Sequence, residues 1–156
     1  MRPTPSSTAT LRPTATPTLK AIANGVIARQ HLQALSGTIG ARVADTPNEA
    51  QAAQYIQAAF GKIGYQTQSQ SFSVTARVNR VKTTFNSTNV IAVKTGLSNS
   101  VIIVGAHYDS TGDGKGADDN ASGVAVMLET AEKVKNIQTP YTIRFVAFGS
   151  EEVDLN

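Results

Sequence analysis

The chain has 156 residues, enough for one domain with its own core. It is 40% hydrophobic but has no long apolar run, which argues against a membrane span, and its net charge of +3 is too small and scattered to indicate nucleic acid. Cysteine is absent, so disulfides and thiol chemistry are excluded and any metal must be held by nitrogen and oxygen.

Residues 1–18 alternate Thr, Pro, Ala and Ser. Such a composition buries too little surface to offset its ordering entropy, so it reads as a disordered linker, of the kind that tethers exported domains. No apolar signal segment follows Met1, and a secreted or cell-surface location is expected from the linker alone. The folded part should run over 19–156.

From Leu19 to Leu35 apolar residues follow a helical face, interrupted at Asn24-Gly25. His31 on this helix has no carboxylate or imidazole at ligand spacing and reads as an ordinary boundary residue. Thr46-Pro47-Asn48-Glu49 is a capping box with proline at the first helical position. It should launch a helix to Ile63, ended by Gly64, that buries Ala50, Ala53, Ile56, Ala59, Phe60 and Ile63. Phe72, Val74, Ala76 and Val78 alternate with polar residues as in a strand, and Asn89 to Val93 is a short second candidate. The sequon at Asn86 matters only in a glycosylating host.

The most informative stretch is Val101 to Glu152. Val101-Ile102-Ile103-Val104 reads as a strand buried on both faces. A polar loop with His107, Asp109, Asp113, Asp118 and Asp119 follows, then a helix from Ser122 to Val134 and a strand from Tyr141 to Phe148. Strand, helix, strand is a βαβ unit, so the two strands should be parallel. His107, the aspartates and the pair Glu151-Glu152 then leave the same carboxyl edge of the sheet, where open α/β sheets place ligand sites.

Each cluster alone has an ordinary explanation: His-x-Asp is a weak pair, aspartates at a helix start serve as caps, and paired glutamates are usually solvated. Together they exceed what caps and surface require. Two decoys fail on context. Asp118, Asn120, Ser122, Gly123 and Glu129 nearly spell an EF-hand loop, but no helix precedes it, and the glycines around Lys115 lack the phosphate-loop pattern.

His107-Tyr108-Asp109-Ser110, Gly116 through Gly123 and Phe145 through Glu152, with weaker support from Gly40-Ala41-Arg42-Val43 and Thr46 to Tyr65, resemble the zinc-dependent co-catalytic aminopeptidases. The resemblance implies a three-layer α/β/α domain with a mostly parallel mixed sheet, and two zinc ions. It further implies that His107 ligates one zinc, Asp119 bridges both beside a cis peptide to Asn120, and Glu152 ligates the second. Asp109 would orient His107, and Glu151 would take the proton of the attacking water and pass it to the leaving amine. The implied substrate is a peptide with a free amino terminus. Relatives draw a further aspartate and histidine from beyond the glutamate pair, so the chain is expected to be the N-terminal portion of such a domain, truncated at the C-terminus, with the Tyr141 to Phe148 strand as an open edge. Glutaminyl cyclisation on the same fold with one zinc, and a non-catalytic domain, are the alternative readings.

Overall fold

A computed structural model describes residues 23–153. The expected linker lies outside the described residues. Helix α1, Val26–Leu32, starts at Gly25, whose φ of +84° explains the Asn24-Gly25 interruption. It runs on into a wider π-type turn, Gln33–Ile39, that buries Leu35.

Helix α2, Pro47–Ile63, forms as its caps dictate. Thr46 accepts the Glu49 N–H, and Gly64 closes the far end in the left-handed region. Its inner face is Glu49, Ala52, Ala53, Ile56, Ala59 and Phe60. Ala50 is exposed and Ile63 only half-buried, because the buried stripe is set by Glu49 and Ala52 turning inward.

Strands β1, Thr67–Val78, and β2, Val81–Lys94, make a long antiparallel hairpin. Its turn is Asn79-Arg80, both with positive φ, which matches the twist of the flanking strands. The short candidate at Asn89 to Val93 is thus the end of a much longer strand, held by polar cross-strand pairs such as Thr75 with Thr84 and Ser73 with Asn86.

Strand β3, Ser98–His107, helix α3, Ser122–Val134, and strand β4, Tyr141–Phe148, form the expected βαβ unit with a parallel pairing. The sheet order is β1-β2-β4-β3. The β4 strand is therefore interior, paired antiparallel to β2 and parallel to β3, and the edge expected there falls on β3 instead.

The core lies between one sheet face and the helices. Val90, Ala92, Phe145, Ala147 and Ala106 meet Phe60, Ile56, Val124 and Leu128, and the Phe145 ring sits 6.0 Å from Phe60 and 5.8 Å from Tyr65. Each such large side chain contributes about 1.5–3 kcal/mol by leaving water.

The mixed α/β sheet is the class expected. Among the described residues it carries helices on one face, and one of its three pairings is parallel. The other face presents Val93, Ile103 and Phe148 to solvent. Val101, Ile102 and Ile103 are 44–63% exposed rather than buried on both faces, because β3 is an edge and packs against the helices only at Val104 and Ala106, near its end.

Candidate metal centre

The parallel register Ala106↔Ala147 and His107↔Phe148 brings the two polar clusters to one end of the sheet. Beyond it the chain is tied across, with Tyr108 N–H donating to Phe148 O at 2.8 Å. Ligand atoms of His107, Glu151 and Glu152 all lie within 4.8 Å of one another.

His107 Nε2 faces Asp119 Oδ1 at 3.0 Å and Glu151 Oε2 at 3.8 Å. On the other side of the ring, Nδ1 lies 3.5 Å from Asp109 Oδ1. Both of those atoms are buried without a hydrogen-bond partner. An Nδ1–H tautomer points at the buried Asp109 carboxylate, which leaves the Nε2 lone pair for a ligand. Asp109 also accepts the Glu152 N–H through Oδ2 at 2.9 Å, so one buried side chain contacts both halves of the site.

The loop between β3 and α3 ends in a π-type turn, Ala117–Ala121, and the Asp119–Asn120 peptide is cis. Asn120 supplies the cap, its Oδ1 accepting the Gly123 N–H at 3.0 Å, so neither aspartate is needed for that task. Asp119 is largely exposed and points its carboxylate at His107. Asp113 and Asp118 are exposed to solvent. Burial and then the charge of Asp119 push the Glu152 carboxyl above the usual glutamate range, with His107 opposing.

The site rests on residues to which the sequence assigned no role there. Glu49 is almost fully buried; its Oε2 accepts the Asp45 N–H at 2.7 Å and its Oε1 the Ser87 hydroxyl at 2.5 Å. The same Oε1 lies against Gly149, 3.0 Å from where a Cβ on that residue would stand. Glu49 therefore caps one residue earlier than a capping box requires and supports the turn that presents Glu151 and Glu152. Burial pushes its pKa up.

Gly149 in that turn has no room for a side chain: a Cβ there would stand 2.1 Å from Ser87 Oγ and 2.9 Å from Tyr108 Oη. Tyr108, whose phenol burial pushes well up, donates to Thr88 O at 2.6 Å. Arg42 is fully buried beneath the β3–α3 loop.

The decoys resolve differently. Glu129 is no calcium ligand; its carboxylate accepts the Gly25 and Ala28 N–H groups at 2.9 and 2.8 Å and caps α1 from α3. His31 pairs with the Tyr55 hydroxyl at 2.7 Å, away from the carboxylate cluster.

The donor set is one imidazole with several convergent carboxylates, and the described salt bridges give those carboxylates no lysine or arginine partner. Two buried polar atoms are also unsatisfied. This nitrogen and oxygen set fits a divalent ion such as zinc.

The fold and this cluster define a zinc-exopeptidase-like α/β domain. The solved zinc aminopeptidase BSAP of Bacillus subtilis superposes with a TM-score of 0.71 at 18% identity, over 81% of this chain and 61% of that one. The glutaminyl cyclase of Fimbriiglobus ruber superposes with a TM-score of 0.72 at 26% identity, over 90% and 50%. In sequence, a probable lipoprotein aminopeptidase of Mycobacterium tuberculosis, LpqL, is 37% identical over 79% of this chain and 24% of its own length. Residues 89–156 match the model of Peptidase family M28. The chain spans about a quarter to two fifths of the length of these first curated relatives.

Proposed function

We propose that the chain is part of a zinc-dependent aminopeptidase acting on peptides with a free amino terminus. His107, Asp119 and Glu152 are the residues of this chain that would hold zinc. The observation that carries this reading is the convergence of His107, Glu151 and Glu152 within 4.8 Å in a chain that matches a peptidase family there.

Zinc, when bound, supplies a polarised scissile carbonyl and a water acidic enough to lose its proton near neutral pH. The remaining work belongs to the chain. Asp109, 3.5 Å from Nδ1, orients the His107 ring so that Nε2 faces the site. Glu151, more than half exposed, takes the proton of the attacking water and returns it to the leaving amine as the C–N bond breaks. Asp109 accepts the Glu152 N–H and Glu49 packs against Gly149, so the turn that carries Glu151 is supported from two sides. The name of LpqL and the Pro/Thr composition of residues 1–18 support an exported or surface location.

The likeness to a glutaminyl cyclase favours a second reading, cyclisation of an amino-terminal glutamine with one zinc. Incubation of the enzyme containing this region with an unblocked peptide amide, its N-acetylated form and a glutaminyl peptide separates them. Release of a free amino acid from the unblocked peptide alone is expected. A pyroglutamyl product would replace the proposal with the cyclase, and no turnover with zinc bound would replace it with a non-catalytic domain.

A further inference from the structure

The geometry points to Arg42 as the positioning residue of the loop that carries Asp109 and Asp119, an inference that rests on the function proposed above. Arg42 lies outside the stretch matched to Peptidase family M28, yet its guanidinium donates to five backbone carbonyls from three segments. Nε reaches Tyr108 O at 2.6 Å, Nη1 reaches Gly40 O and Lys115 O at 2.8 Å and Leu35 O at 3.3 Å, and Nη2 reaches Gly116 O at 2.8 Å. Its own backbone closes the arrangement: Arg42 N–H donates to Ser110 Oγ at 2.9 Å and Ser110 N–H to Arg42 O at 3.2 Å.

These contacts bracket the site loop. Tyr108 and Ser110 flank Asp109, and Lys115 with Gly116 begins the turn that delivers Asp119. The fit is close, since a Cβ on Gly116 would meet Ser110 Cβ at 2.4 Å and Arg42 Nη2 at 2.7 Å, and the φ of +52° there favours glycine as well. No carboxylate pairs directly with the guanidinium within salt-bridge distance among the described residues; Asp109 acts on it only as a nearby charge. A planar fork with five donors can hold three segments at once. A lysine offers three donors on one atom and loses its charge readily when buried, so it cannot replace that fork.

The test uses the 156-residue chain, with zinc chloride as the metal and amide exchange as a readout that needs no metal. In Arg42→Lys, the Tyr108, Ser110 and Ala121 amides should exchange about tenfold faster relative to α2 amides, and zinc affinity should fall about 10–100-fold. Ile56→Val lowers global stability without touching the loop and should change neither ratio. Ser110→Ala keeps the guanidinium, so the Tyr108 and Ala121 amides should stay protected; this variant decides the matter if Arg42→Lys does not fold. Loop exchange that rises no more than in α2, or a loop freed as much by Ser110→Ala as by Arg42→Lys, would overturn the role of Arg42. A wild-type chain that takes up no zinc would instead count against the proposed function, with the exchange result on Arg42 still standing.

Discussion

Replacing Glu49 by glutamine tests how the turn bearing Glu151 and Glu152 is held. The buried carboxylate accepts from Asp45 N–H on one oxygen and Ser87 O–H on the other, two donors that an ionised glutamate satisfies as an acceptor-only group. A glutamine offers one accepting oxygen and turns an NH₂ toward at least one of those donors. Hydrogen bonds to a charged group contribute about 1.5–3 kcal/mol each, and relief of the buried charge offsets part of the loss, so Glu49→Gln should cost about 2 kcal/mol. The pH dependence follows from burial, which raises the folded pKa above its ordinary 4.5. The native state then binds its proton more tightly than the unfolded chain, so wild-type stability falls as pH rises from the ordinary value through the raised one. The glutamine variant lacks that contribution, and the wild-type advantage should shrink with rising pH. Urea denaturation of both proteins across this range measures it. An advantage that grows with pH would mean that the two donors outweigh burial, and an absent one would remove Glu49 from the support of the site.

Phe145→Ala should cost about 3–5 kcal/mol in urea unfolding, because the ring is fully buried between Phe60 and Tyr65. Ile103→Ala, on the uncovered sheet face, should stay within about 0.5 kcal/mol. Equal costs would show that the core is not confined to one face. Glu129→Gln should weaken the docking of α1. Two backbone N–H groups hold the Glu129 pKa down at about 2, so its contribution is present above the ordinary 4.5 and is lost as pH falls toward about 2. The difference in urea midpoint between this variant and wild type should therefore vanish in acid, and a difference that persists there would contradict the cap.

The βαβ unit and the convergence of its polar clusters were legible because their signals are local. An apolar run, a polar loop and an amphipathic helix fix β3, α3 and β4, and parallel pairing then brings His107 and Glu151 together with no tertiary detail required. The exposure of Val101 to Ile103 was not legible, since which face of an edge strand is covered depends on where distant helices pack. Most of β2 was missed for a different reason: Thr84, Asn86 and Thr88 stabilise it through polar cross-strand partners and leave no hydrophobic alternation. Arg42 and Glu49 were hidden because their roles are set by carbonyls and hydroxyls up to 74 residues away. Only the presence of Arg42 between small and apolar neighbours, and of Glu49 on the inner side of a capping turn, hinted that each is buried.

The chain has two histidines, His31 and His107, which makes one measurement decisive for the metal centre. Zinc titrated into the chain labelled with nitrogen-15 should shift the Nε2 resonance of His107, leave its proton on Nδ1 facing Asp109, and leave His31 paired with Tyr55 unchanged. A saturating titration that leaves His107 unmoved, or that moves His31 alone, would contradict the assignment of His107, Asp119 and Glu152 as zinc ligands.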